Sequence, residues 1–227
     1  MKRKAPALPA DLPVCPIDDA LIEAGETGDD IRGIRFEGDT AEGFGVENLE
    51  FVCCSFMNVR FRDCTFAHCS FVDCRFELCD MSLLELTDCS LVRCEISGGK
   101  MVGANLNGSF LMHTLFSEVD CEYLNLTEAT LKSVEFDTCK LSGSGLDNCE
   151  VGVLEFNDCD LVGANLSNTP LEGVDFSSSN IAGLILTGNE LEGAVISAFQ
   201  AVDIVKFLGV RVADYGLGGE EEEQTEE

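Results

Sequence analysis

The amino-acid sequence predicts an all-β chain wound into a four-sided solenoid of about eight turns, and three observations carry that prediction. Stepping by five from Ile31, the chain places an apolar residue at all 34 positions to Ile196, eleven of them Phe. Two residues before each of these runs a second column, Ile34 to Ala194, in which ten of 33 positions are Cys and most of the rest are small or medium-sized. Within the first column Phe36, Phe56, Phe76, Phe116, Phe136, Phe156 and Phe176 are 20 or 40 residues apart, with Ile96 in the gap. A period of five fits neither an amphipathic helix nor a half-buried strand. Four five-residue sides make one square turn of twenty, so residues twenty apart stack and successive turns pair like parallel strands about 4.8 Å apart. The 34 sides then make about eight and a half turns, a rod about 40 Å tall at that rise.

Each element follows in order. Residues 1–30 hold four of the five prolines (Pro6, Pro9, Pro13, Pro16), so they are expected to start extended and to bring Val14, Ile17, Leu21 and Ile22 over the open edge of the first turn. Residues 31–196 form the coil. In "ISAFQAVDIVKFLGV", Ser197 and Gln200 stand in capping-box spacing and Gly209 closes the segment, which predicts a helix over 197–209. Its stripe of Ala198, Ala201, Val202, Ile204, Val205 and Leu208 is placed to plug the coil, while Phe199 and Phe207 fall outside it. Residues 210–227 end in "GLGGEEEEQTEE", a solvated acidic tail expected to be disordered.

Composition limits function. Lys and Arg number 14 against 42 Asp and Glu, a formal charge of -28, yet 45% of residues are hydrophobic, so a real core sits under a negative skin. Such a skin repels nucleic acid and anionic lipid, which argues against direct nucleic-acid or membrane partners and for a basic protein surface, including one built to hold DNA. The basic start "MKRKAPALPADLPV" has no apolar run after it, and no stretch approaches 18 apolar residues. A cytoplasmic protein is therefore expected. Ten of the 13 cysteines (Cys54, Cys64, Cys69, Cys74, Cys79, Cys89, Cys94, Cys139, Cys149, Cys159) share one phase of the repeat and none forms a C-x-x-C pair, so they read as reduced packing residues with no metal site.

The stretches "MVGANLNGSFL" and "VGANLSNTPLEGVDFSSSN" carry a resemblance. Ala104-Asn105-Leu106 and Ala164-Asn165-Leu166 match A-(D/N)-L-x-x, the motif of the pentapeptide-repeat family, and 31–196 as a whole resembles it, with Cys for Ala and Phe for Leu over 51–96. The resemblance implies a right-handed quadrilateral β-helix. The C-terminal helix is similar, through Gln200, Leu208 and Gly209, to that of the quinolone-resistance, gyrase-binding branch, which joins two β-helices end to end. That likeness implies a homodimer whose interface includes Phe199, Val202, Phe207 and Leu208, and a partner such as DNA gyrase or another topoisomerase, bound by mimicry of DNA. The likeness also implies a quinolone-resistance role. Members of the Qnr type carry loops that interrupt the repeat, whereas this register is unbroken, so the resemblance implies drug protection only so far as it does not depend on such loops.

The residues themselves argue against an enzyme. A filled rod has no concavity in which to gather a nucleophile, acid or metal, His68 and His113 fall on outward positions of different sides, Cys53 faces outward as a bystander thiol, and no cofactor motif is present. What remains is charge. Residues 101–196 carry 15 acidic side chains against Lys132 and Lys140, and 31–100 carry 12 against seven basic. On the wall of the Phe ladder the outward residues beyond Arg75 and Glu77 include Glu95, Glu118, Glu135, Asp137, Glu155, Asp158 and Asp175 with no Lys or Arg, the candidate partner-binding stripe. The alternative reading is a structural or scaffold β-helix with another protein partner, its acid serving solubility.

Overall fold

The computed structural model describes residues 3–207, without the side chains of Lys206 and Phe207, and residue 211. It is a four-walled β-solenoid in which residues twenty apart face each other in parallel register, as in Phe36↔Phe56, Phe56↔Phe76, Phe76↔Ile96, Ile96↔Phe116, Phe116↔Phe136 and Phe136↔Phe156. Regular strands run from Ile31 to Asn157 and account for about six turns. Above them the coil continues through isolated bridges, Asp160↔Asn180, Asn165↔Ile185 and Asp175↔Val195, so the upper turns are square without long strands. We number the walls by the first-column residue at their centres: first wall Phe51 and Phe71, second wall Phe56 and Phe76, third wall Phe61 and Met81, fourth wall Phe66 and Leu86.

Both columns point inward. On the second wall the rings form a ladder with centroids 4.9, 4.5, 4.6, 5.5 and 5.5 Å apart for the pairs from Phe36–Phe56 to Phe156–Phe176, which places aromatic faces in the offset contact they favour. Ile96 is the break in the ladder, and it is buried. The axis is filled: a cavity of about 20 Å³ beside Phe51, Phe56 and Phe76 is apolar and holds no more than a water-sized space.

The small column does more than fit a slot. Cys54, Cys64, Cys74, Cys94, Cys139 and Cys159 each direct the thiol to the carbonyl 23 residues back, Ile31, Ala41, Phe51, Phe71, Phe116 and Phe136 respectively. Ser109, Thr114, Thr169 and Ser179 donate hydroxyls to carbonyls at the same offset. A short side chain that can donate thus gives each of these first-column carbonyls a hydrogen-bond donor. No disulfide joins the 13 cysteines, and burial pushes the Cys79 and Cys149 thiols up to about 11, away from the reactive thiolate.

Corners turn through the left-handed region, and Gly99 shows the limit. Its φ is +80° and a Cβ there would lie 2.1 Å from the Cys79 carbonyl oxygen, so only glycine fits between the second and third walls at that level.

The two ends differ from the sequence expectation in detail. At the lower end residues 3–16 start without a helix, as expected, and the cover that follows them is helical, α1, Ile17–Thr27. Ile17, Ala20, Leu21 and Ala24 are its buried face at i, i+3, i+4 and i+7, and Gly28 closes it at φ 72°. Ile17 and Leu21 cover the first turn as expected, but Ile22 falls on the opposite face of α1 and is exposed, and Val14, which precedes the helix and bridges to Arg35, is exposed as well. Asp39, an acid in the inward small column, accepts the backbone N–H of Ile17 and so completes the start of α1. At the upper end α2, Ala198–Phe207, begins with the expected reciprocal cap: the Ser197 N–H donates to Gln200 Oε1 at 2.6 Å, and the Gln200 N–H to Ser197 Oγ at 3.4 Å. The Gln200 amide also donates to the carbonyls of Phe176 and Ser179, both at 2.7 Å, fastening the helix to the coil. Ile204 packs on the core, whereas Ala198 and Val202 of the expected plug stripe are exposed.

Candidate functional site: the acidic second wall

The stripe is built from two outward columns and a corner of the second wall. Glu95, Glu135, Glu155 and Asp175 share one column, Asp137 lies in the next, and Glu118 and Asp158 stand at the corner with φ of 56° and 50°. Register brings Glu135 directly opposite Glu155, with Leu115 between Glu95 and Glu135. Like charges facing across adjacent strands cost up to about 1 kcal/mol each. Among the described residues no Lys or Arg pairs with Glu118, Asp137, Glu155, Asp158 or Asp175.

The lower part of the wall is different, and its partner was not visible in the repeat. Arg75 Nη2 reaches Glu95 at 3.1 Å. Arg3, more than ninety residues away in sequence, places Nη1 3.1 Å from Glu95 and Nε 3.3 Å from Glu135. The segment that carries it pairs with the first turn, Cys15 donating to the Arg35 carbonyl and Arg35 to the Pro13 carbonyl, then climbs the corner between the first and second walls. There the Ala7 N–H donates to Asp73 at 3.0 Å, and the Cys53 thiol points at the Ala7 carbonyl. Asp73 is itself gripped by Arg93 at 2.7 and 2.6 Å, which together with the Ala7 N–H holds its carboxyl below the usual range.

His113 corrects a sequence expectation. It occupies the same outward corner, yet it is 4% exposed, like its buried corner neighbours Asp73 and Ser133, and its Nδ1 has no hydrogen-bond partner. Burial, then the nearness of Lys4, Arg93 and Arg3, hold its pKa below the ordinary histidine value. His68 is exposed, as expected, and lies 3.8 Å from Asp88. Glu190, one of the 15 upper acids, is no surface charge either: it is buried, accepts from the N–H groups of Asn168, Thr187 and Gly188 and from the Thr187 hydroxyl, and closes the last turn. Burial alone would raise its pKa, but these donors hold it at about 2.

The third wall supplies the contrast. Its outward column runs Arg60, Asp80, Lys100, Asp120, Lys140, Asp160, each bridged to the next, so that sign alternates at every turn. Lys140 lies 3.5 Å from Asp120. Acid is therefore not spread evenly over the rod.

Two family models match the chain, one described as pentapeptide repeat region over residues 69–146 and one as pentapeptide repeats over 155–196. The chain belongs to the pentapeptide-repeat family. Among solved structures, a trypsin-treated variant of QnrB1, a plasmid-mediated fluoroquinolone resistance protein, is 20% identical with a TM-score of 0.50, covering 81% of this chain and 92% of that one. HetL, a pentapeptide-repeat protein involved in heterocyst differentiation regulation in the cyanobacterium Nostoc sp. strain PCC 7120, is 16% identical with a TM-score of 0.33, covering 80% and 97%. No curated protein matches the sequence. The likeness to the QnrB1 variant, at 20% identity, concerns the fold alone.

At the far end Phe199 is 91% exposed and Val202 45% exposed. The Phe207 side chain and Leu208, the other residues expected at a dimer interface, lie outside the described residues, as do Gly209 and the acidic tail. Among the described residues no helix is long and apolar enough to cross a membrane, and no group of His, Cys, Asp and Glu is arranged to hold a metal ion.

Proposed function

We propose that this pentapeptide-repeat protein is a non-catalytic acidic rod that binds a basic protein surface, the DNA-binding surface of DNA gyrase or a related topoisomerase, by presenting its second wall as a mimic of DNA. The observation that carries the reading is the stacking of Glu135, Glu155 and Asp175 on one wall while the next alternates sign. Solubility alone requires net charge but no such stacking, and stacking opposes the fold. A one-sided row of carboxylates on a straight rod has the shape and charge of a duplex backbone. The fold shared with QnrB1, described as a fluoroquinolone resistance protein, makes quinolone protection the activity to examine first. Two rods joined through α2, with Phe199 at the contact, would make a rod of about 80 Å with the two acidic upper halves brought together at its middle.

The test is a supercoiling assay with purified gyrase, with and without quinolone. Wild type at micromolar concentration is expected to inhibit or protect, more weakly as salt rises, and Glu155→Gln, Asp158→Asn, Asp175→Asn combined to lose the effect. Inactivity of the wild type would leave the scaffold alternative in its place. Phe199→Ser is expected to give monomers by light scattering with an unchanged β signal.

A further inference from the structure

The N-terminal segment is the feature that neither the coil nor the proposed partner surface absorbs. Over residues 3–14 only Arg3, Pro6, Leu8 and Leu12 are half-buried and the rest are exposed. It is held at the first turn through Pro13 and Cys15, at one midpoint by the Ala7–Asp73 hydrogen bond, and at its end by Arg3 between Glu95 and Glu135. Arg3 sits at the level of Leu115, where the acidic column lacks a charge of its own. The seat is incomplete, since His113 is buried beside it with an unpartnered Nδ1 and with the cations Lys4 and Arg3 near. A buried polar atom left unpaired works against closure, and a strap fastened at so few points opens at small cost compared with the coil.

We infer that this strap is a self-supplied cationic occupant of the acidic wall, an autoinhibitory contact that a basic partner must displace to engage the lower half of the wall. The inference rests on the reading that the second wall is the partner surface. Its chemistry is exchange of one cation for others: Arg3 leaves Glu95 and Glu135, and the partner's Lys or Arg groups take both carboxylates. In the closed state the bare charge is that of Glu118, Asp137, Glu155, Asp158 and Asp175; in the open state Glu135 joins it and Glu95 keeps only Arg75.

Cys53 reports the strap independently of any partner, because its thiol lies beneath the Ala7 carbonyl. Native-state labelling with a thiol reagent, assigned with Cys53→Ala, measures opening; binding of an oligolysine peptide measures the wall. Arg3→Ala is expected to speed Cys53 labelling about threefold to tenfold, the weight of two part-exposed ion pairs, and to tighten oligolysine binding by a similar factor. Arg62→Ala, which removes the same charge from the third wall, should change neither beyond a bulk effect. Oligolysine should also speed Cys53 labelling in the wild type. Unchanged labelling in Arg3→Ala, or equal tightening by both variants, would overturn the inference. Labelling that responds to Arg3→Ala while oligolysine binding ignores Glu155→Gln with Asp175→Asn would overturn the acidic-wall reading, and masking with it, leaving the strap contact intact.

Discussion

The second and third walls share one backbone, one rise and one pair of inward columns, yet they treat charge in opposite ways. On the third wall, Arg60 to Asp160 alternate in sign at every turn; on the second, Glu135 faces Glu155 and Asp175 follows twenty residues on. Alternation is what stability alone would favour. The inward side of the second wall is also the stronger, with stacked rings from Phe116 to Phe176 where the third wall has Cys121, Leu141, Leu161 and Ile181. The pairing teaches that outward repulsion is placed where the inner face can carry it.

The comparison can be broken first from inside. Phe136→Ala removes the middle of the ladder and is expected to cost about 3 to 5 kcal/mol by denaturant unfolding; a near-neutral result would show that the ladder does not carry the wall. Gly99→Ala, at the corner joining the two walls, adds a Cβ against the Cys79 carbonyl in a left-handed conformation, and about 2 to 4 kcal/mol is expected. Glu190 separates structural from surface acid. Glu190→Ala strands three backbone donors and should cost about 2 to 3 kcal/mol. Because its folded pKa of about 2 lies below the ordinary 4.5, its stabilisation is whole above pH 4.5 and lost as pH falls through 2. The difference in melting temperature between wild type and the variant should therefore shrink over that window and stay flat above it. The smallest effects are the most diagnostic in sign: Glu155→Gln should stabilise by about 0.3 kcal/mol and Lys140→Gln destabilise by about as much, both fading in salt. Equal signs would remove the distinction between the walls.

The coil was legible because every side repeats one environment. Phe136 and Cys139 announce their burial by phase alone, since a residue five or twenty places away has met the same slot. The elements outside the repeat had no such redundancy. α1 carried its own signal in Ile17, Ala20, Leu21 and Ala24 with Gly28 as a stop, but four prolines nearby argued for extended chain. Arg3 carried none: a contact across 132 residues to Glu135 leaves no periodic trace, so the ion pairs on the lower wall and the burial of His113 could be found only in three dimensions. Glu190 shares its acidic character with surface neighbours, and only the local turn of Thr187 and Gly188 marks it as internal.

The small column has a last consequence. Cys54, Ser109, Thr114 and Cys139 perform one task, handing a proton donor to the carbonyl 23 residues back. Residues that perform one task are interchangeable spellings, so the sulfur content of this rod is a choice of vocabulary and is separable from its architecture. A version written in serine at the column, with Cys15, Cys53 and Cys121 replaced too, would keep its shape without thiols, and a single cysteine returned to any one level would serve as an internal marker of that turn's opening.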